Sequence, residues 1–269
     1  MIARALLTAA ALALAGCETV RTTDSGVVGI DRQQSMLVSS ASVNASAERA
    51  YLQTLRQADR KGQLNRDQGQ LDRVRRIAAR LIPQSAAFRK DAPQWKWETN
   101  LIVSKEINAW CMPGGKMAVY TGLIERLQAT DDEIAAVMGH EMAHALREHG
   151  RERASQATVQ GIGLSVLGAV AGVSQAGMDL TQVVVDLTFN LPNSRTHETE
   201  ADRIGVELAA RAGFDPRAAV SLWEKMQKVG GGQPPEFLST HPSYDTRIGD
   251  LRAYGARVMP LYEAARPKR

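Results

Sequence analysis

Two histidines four residues apart, His140 and His144, with Glu141 directly after the first, sit in the stretch GHEMAH over residues 139–144. On an α-helix, positions i and i+4 stand one above the other on one face, so both imidazoles can bind a single ion. Glu141 lies about 100° round the axis, close enough to reach water at a metal without being a ligand itself. HExxH on a helix is the zinc-peptidase pattern, with two ligands and a carboxylate that takes a proton from that water. The same five residues also occur by chance on surface helices. A catalytic zinc usually takes three protein ligands and keeps a fourth position for water, so a third ligand downstream is the deciding feature.

The stretch THETEADRIG, residues 196–205, offers it. On a helix Glu198 and Asp202 share one face, whereas Glu200 points roughly the opposite way. Glu198 is the candidate third ligand, giving one Zn²⁺ per chain held by His140, His144 and Glu198. Asp202 is then placed to hold a ligand histidine by its other ring N–H.

Several elements must position these residues. Thr130-Asp131-Asp132-Glu133 has the order of a capping box, so a helix starts just ahead of GHEMAH; it is expected to run to about His149 and end at Gly150. Residues 95–120 carry β-branched and aromatic side chains around a Pro113-Gly114-Gly115 breaker, which predicts strands on both sides. A short helix is expected to open at Thr121. Residues 196–212 read as a helix closed by Gly213. Asp215-Pro216 opens another, Gly230 to Pro235 form a loop, and a C-terminal helix is expected to begin at Ser243, with Ser243 to Tyr254 as its first part. Upstream, Ala47 to Ala58 and Asp67 to Ile82 read as helices, the second stopped by Pro83. The expected fold is α+β and mostly helical, with a small sheet whose edge strand precedes the HExxH helix. Residues 154–178 contain no charge and five glycines. By length alone they qualify as a membrane span; their glycine, serine and glutamine content favours a helical hairpin near the site, able to act as a lid.

The chain has 269 residues, 44% of them hydrophobic, enough for one sizeable core. Its 33 basic and 29 acidic residues give a weak positive balance, and no basic block interleaved with aromatics points to nucleic acid as a partner. Residues 1–16 have the charged start, short apolar run and small residues of a bacterial export signal. Leu14-Ala15-Gly16-Cys17 is similar to a lipobox, which implies cleavage before Cys17 and acylation of its thiol; acyl chains then hold the protein on a membrane surface without a spanning helix. Cys111 would be the only remaining thiol, so no disulfide inside the chain is expected. Residues 17–46 lack a sustained period and read as a tether, followed by a metallopeptidase domain with N-terminal helices over 47–269.

HEMAH followed about fifty residues later by Glu198, Ala201 and Asp202 in ExxxAD order resembles the gluzincin zinc metallopeptidases of the HtpX/BepA/LoiP type. Asn108-Ala109, Pro113-Gly114-Gly115 and Gly122-Leu123 resemble the strand and turn ahead of that family's zinc helix, and STHP over 239–242 its downstream histidine loop. The likeness spans roughly residues 70–255, and the lack of several membrane helices and of a repeat domain brings it nearest to compact LoiP-type lipoproteins. It implies a zincin-like domain, extended polypeptide substrates lying on an edge strand drawn from residues 109–120, and peptide-bond hydrolysis with Glu141 as general base. It further implies a lipid-anchored endopeptidase of the bacterial cell envelope, periplasm-facing and at the outer membrane, that removes misfolded membrane or exported proteins. The rival is a chaperone-like binding factor that works with outer-membrane protein assembly machinery, in which zinc is structural.

His241 has three readings. It shapes a turn with Pro242; it takes the fourth zinc position and keeps the enzyme latent until substrate moves the loop, as the resemblance implies; or it donates a hydrogen bond to the developing oxyanion. The latch is the reading adopted.

Overall fold

A computed structural model describes residues 18–170, 179–229, 235–243 and 246–266, with the backbone alone for 162–170. The expected α+β, mostly helical fold is observed.

At its centre lies the HExxH helix, α4 (Asp131–Leu146), preceded in the chain by α1 (Ser40–Arg60), α2 (Gln68–Leu81) and the short α3 (Thr121–Arg126). The capping box forms as the sequence predicts: the Thr130 hydroxyl accepts from the Glu133 backbone N–H, and the Glu133 carboxylate accepts from that of Thr130. Every residue from Glu133 to Leu146 is buried, so α4 is covered on all sides rather than on one face. Covering elements are α7 (Arg195–Arg211), α8 (Ala218–Val229), α2 and a three-stranded sheet.

That sheet has the order β3 (Glu98–Ile102), β5 (Lys116–Tyr120), β4 (Ala109–Met112). β3 runs parallel to β5, and β4 is antiparallel to it, with Ala109 opposite Val119 and Met112 opposite Lys116. Pro113-Gly114-Gly115 closes the hairpin, both glycines at φ +83°, which a side chain would strain. Successive strand residues face opposite ways. Cys111, Met117 and Val119 join the core around α4, while Trp110, Met112 and Ala118 meet Val43, Ala47 and Tyr51 of α1. Only the first half of the expected 109–120 segment is therefore an edge; Lys116–Tyr120 is the central strand.

Four sequence expectations need correcting. Residues 18–46 are not an extended tether: β1 (Glu18–Val20) pairs antiparallel with β2 (Gln34–Met36), and Val28, Ile30, Gln34 and Met36 are buried against the body. They lack a period because they form a strap rather than an amphipathic element. Helix α1 begins at Ser40 under a Ser39 cap, not at Ala47. The zinc helix stops at Leu146, because Glu148 takes a left-handed conformation (φ 50°); Gly150 then lies inside the next helix, α5 (His149–Val170). The C-terminal helix α10 begins at Arg247 (Arg247–Ala265), after α6 (Leu180–Phe189) and the one-turn α9 (Glu236–Thr240).

Among the described residues no helix is long and apolar enough to cross a membrane. Of the hairpin expected within 154–178, residues 171–178 lie outside the described residues, as do the signal segment and Cys17.

Candidate metal centre

Helices α4 and α7 cross where two glycines meet. A Cβ on Gly139 would stand 2.8 Å from the carbonyl oxygen of Gly205, and one on Gly205 would stand 2.8 Å from the backbone nitrogen of His140. This approach lets His140 and His144 from one helix meet Glu198 from the other. Glu198, Asp202 and Gly205 follow one another at helical spacing on a single face of α7.

Nε2 of His140 and Nε2 of His144 are 3.1 Å apart. The Glu198 carboxylate lies 3.5 Å from the first and 3.3 Å from the second. Nδ1 of His241, in the loop after α9, is 3.2 Å from His140 Nε2 and 3.0 Å from Glu198 Oε1. The donor atoms of all four residues lie within 4.8 Å of one another. Tetrahedral zinc ligands at about 2.0–2.2 Å from the ion stand roughly 3.3–3.6 Å apart. The observed separations approximate that figure, with His241 at the fourth vertex.

Proton positions follow from the partners. His140 Nδ1 is 3.0 Å from Asp202 Oδ1, and a carboxylate can only accept, so His140 carries its proton on Nδ1. His149 Nε2 is 3.0 Å from Glu200 Oε2 and carries its proton there by the same argument. The bare Nδ1 of His149 then accepts from Nδ1–H of His144, 2.9 Å away. Both Nε2 atoms facing the centre are therefore lone pairs, converging on the point approached by the Glu198 carboxylate. Lone pairs packed at 3.1 Å repel unless a cation lies among them, so the donor set fits Zn²⁺. Burial pushes His144 down to about 3 and His140 well below its usual value, keeping both imidazoles neutral as ligation requires.

Glu141 is buried, with Oε1 making no hydrogen bond, 3.4 Å from Nε2 of His241. Burial pushes its carboxyl up to about 7, opposed by His241 and a hydrogen bond from the Cys111 backbone in β4. For His241, burial acts downward, but Glu141 and Glu198 outweigh it and the imidazole is pushed up. A narrow cleft beside β4 is lined by Trp110, Cys111, Glu141, His144, Asn193 and His241.

Two supporting arms hold the histidines. Asp202 takes His140, as the sequence predicts, and also accepts from Nη2 of Arg247 at 2.7 Å. Nη1 of Arg247 donates to Glu198 Oε2 at 2.8 Å, and its guanidinium lies 3.4 Å from the centre of the Trp223 ring. The second arm runs from His144 through His149 to Glu200, which also accepts from Arg147 and Arg32. Glu200 stays out of the ligand set, as its register predicts, but it is buried and engaged rather than facing solvent. Sequence reasoning missed His149, Arg247, Arg147 and Arg32. For His149 a signal exists, a third histidine five residues after His144; the left-handed turn at Glu148 brings it back to the site, where a continuing helix would carry it away. No local signal marks Arg247 or Arg32.

The family model for Peptidase family M48 matches residues 68–254. Mitochondrial metalloendopeptidase OMA1 of Arabidopsis thaliana is 39% identical over 148 residues, covering 55% of this chain and 29% of the relative. Its Schizosaccharomyces pombe counterpart is 37% identical over 183 residues, 67% of this chain and 52% of the relative. The Escherichia coli beta-barrel assembly-enhancing protease is 32% identical over 171 residues, 60% of this chain and 35% of the relative. The chain thus spans about half or less of these relatives' lengths. They include mitochondrial and bacterial proteins and do not single out the LoiP type expected from the motifs. With a match over most of its length and the donor geometry of a zinc metalloprotease active site, the chain belongs to Peptidase family M48.

Proposed function

We propose that the chain is a zinc-dependent endopeptidase that hydrolyses peptide bonds in unfolded or misfolded polypeptides. The observation that carries this reading is the buried Glu141 oxygen, without a hydrogen bond, beside the converging donors of His140, His144 and Glu198. A structural zinc site has no need of it. Zinc held by these three residues would supply Lewis-acid polarisation of a carbonyl and a more acidic water. Glu141, with a carboxyl near neutrality, takes the proton from the attacking water and returns it to the leaving amine. The edge of β4 runs beside the cleft and suits an extended substrate, whose main chain pairs with a strand irrespective of side-chain sequence.

His241 would serve as the latch: its Nδ1, 3.0 Å from Glu198 and 3.2 Å from His140, is placed to join the three residues that would hold zinc, and movement of its loop on substrate binding would withdraw it. A bacterial envelope location rests on the sequence of residues 1–17, with the lipid on Cys17 and the outer membrane as its site. Strand β1 starts at the next residue, Glu18, so such a lipid would hold the domain close against the bilayer. Outer-membrane assembly factors are the corresponding partners, in line with the similarity to the Escherichia coli beta-barrel assembly-enhancing protease.

The test is Glu141→Gln in the full chain. Cleavage of an unstructured peptide should fall at least ~10²-fold, the lower end of a general base's contribution, with zinc retained. Near-native cleavage overturns the mechanism, and full biological activity without cleavage supports the binding-factor reading instead.

A further inference from the structure

The strap over residues 18–36 lies outside the family-matched segment 68–254, yet its side chains reach the second arm of the metal centre. Arg32 forks between two carboxylates. Its Nη1 and Nη2 bond Glu152 at 2.6 and 2.8 Å, and its Nε bonds Glu200 at 2.6 Å. Gln34, fully buried, donates to Glu152 at 2.6 Å and to the carbonyl of Arg147 at 2.8 Å. Arg147, also fully buried, donates to Glu200 at 3.0 Å, to Thr23 at 3.2 Å and to the carbonyl of Arg32 at 3.1 Å. The His149 and His197 rings stack 4.2 Å apart, each hydrogen-bonded to one of the two carboxylates.

We infer that Arg32 is a positioning residue for the metal site: by fixing Glu200 it fixes the His149 ring, which holds His144 with Nε2 toward the ion. The two ligand histidines are thus held by arms of different origin. His140 is held by Asp202 and Arg247, within the matched segment. His144 is held by a longer relay whose outer end, Arg32, lies in the strap just ahead of β2. Without Arg32, Glu152 and Glu200 stand close together with one guanidinium fewer, and like charge drives them apart. The His149 ring follows Glu200. An Arg fork suits the task, because a Lys ammonium cannot make parallel bonds to two carboxylates at once.

This rests on reading the centre as a zinc site, and the two fail separately. Native protein that takes up no zinc sinks the site reading; native protein that binds zinc, with variants that bind it equally well, sinks the inference alone. The experiment measures zinc affinity by chelator competition, with melting of the zinc-free protein, for the full-length native chain, Arg32→Met, His149→Phe and the double variant. Arg32 is one-third exposed, so methionine can keep its stem packing. Arg32→Met should weaken zinc binding about 10 to 100-fold, the usual range when support for a ligand histidine is removed, and His149→Phe should do at least as much. In the double variant the Arg32 change should add nothing, because both substitutions break one relay. Losses that multiply in the double variant overturn the inference. So does an Arg32→Met protein that melts lower without zinc yet binds zinc as the native chain does, since Arg32 would then only staple the strap. If Arg32→Met does not fold, His149→Phe decides alone: native zinc affinity in that variant breaks the relay at its middle link.

Discussion

Gly205→Ala tests whether the helix crossing sets the metal site. The new methyl would stand 2.8 Å from the nitrogen and 2.9 Å from the Cα of His140, where ordinary contact begins at 3.4 Å. Both neighbours are backbone in a buried helix, so no side chain can swing aside; the helices must separate by roughly 0.6 Å, against a tolerance of about ±0.2 Å for metal–ligand distances. Glu198 lies two turns from Gly205 on the same face and moves with it, away from both histidines. Overpacking costs about 1–3 kcal/mol, and replacing a helical glycine by alanine returns about 1 kcal/mol. The zinc-free protein should therefore lose no more than about 2 kcal/mol of stability, while zinc affinity falls at least about tenfold. Chelator competition and thermal melting measure the two. Gly249→Ala is the control, since a Cβ there meets nothing within 4 Å; it should leave both unchanged or slightly raise the melting temperature. Native zinc affinity in Gly205→Ala would refute the claim that this contact fixes the ligand distances.

Replacing His140, His144 or Glu198 by Ala should abolish stoichiometric zinc, read by metal analysis, whereas Asp202→Asn should weaken it about 10 to 100-fold and leave the ligands in place. His241→Ala should raise hydrolysis of a short unstructured peptide. X-ray absorption on the resting native enzyme should show three histidine nitrogens at zinc; a lower rate with unchanged coordination would favour an oxyanion role. Because burial raises the Glu141 carboxyl to about 7, the base form is lost as pH falls. Peptide hydrolysis should drop through that region toward a tenfold decrease per pH unit, and a flat profile from pH 8 to 5 would remove Glu141 from the role of base.

The parts of the site legible in sequence are those that repeat with a helical period. His140 with His144 and Glu198 with Asp202 are each four apart, so their faces could be read before any fold was known, and the capping box at Thr130 fixed where the first helix begins. The strands flanking Pro113 to Gly115 were readable from β-branched content, but not which of them lies at the edge, since that depends on pairing with β3. Arg247 meets its carboxylates across 45 and 49 residues, and Arg32 meets Glu200 across 168. Neither has a local pattern to betray it. The strap has no legible pattern for a related reason: it is ordered by what it touches, not by its own periodicity.

Arg247 is also the last part of the centre to be made. Glu198 and Asp202 are buried acidic groups one turn apart, and the cation between them comes from the first turn of the final helix. A nascent chain ending before Arg247 carries all three zinc-binding residues but would have to bury those groups without their partner, at a cost of several kcal/mol. Closure of the centre therefore waits for translation to pass that residue. At about 5–20 residues per second, Glu198 precedes Arg247 by roughly 2–10 seconds. Under the proposed function, the nearest unfolded polypeptide in that interval is the chain's own, and a centre completed only when α10 docks would spare it from cutting itself.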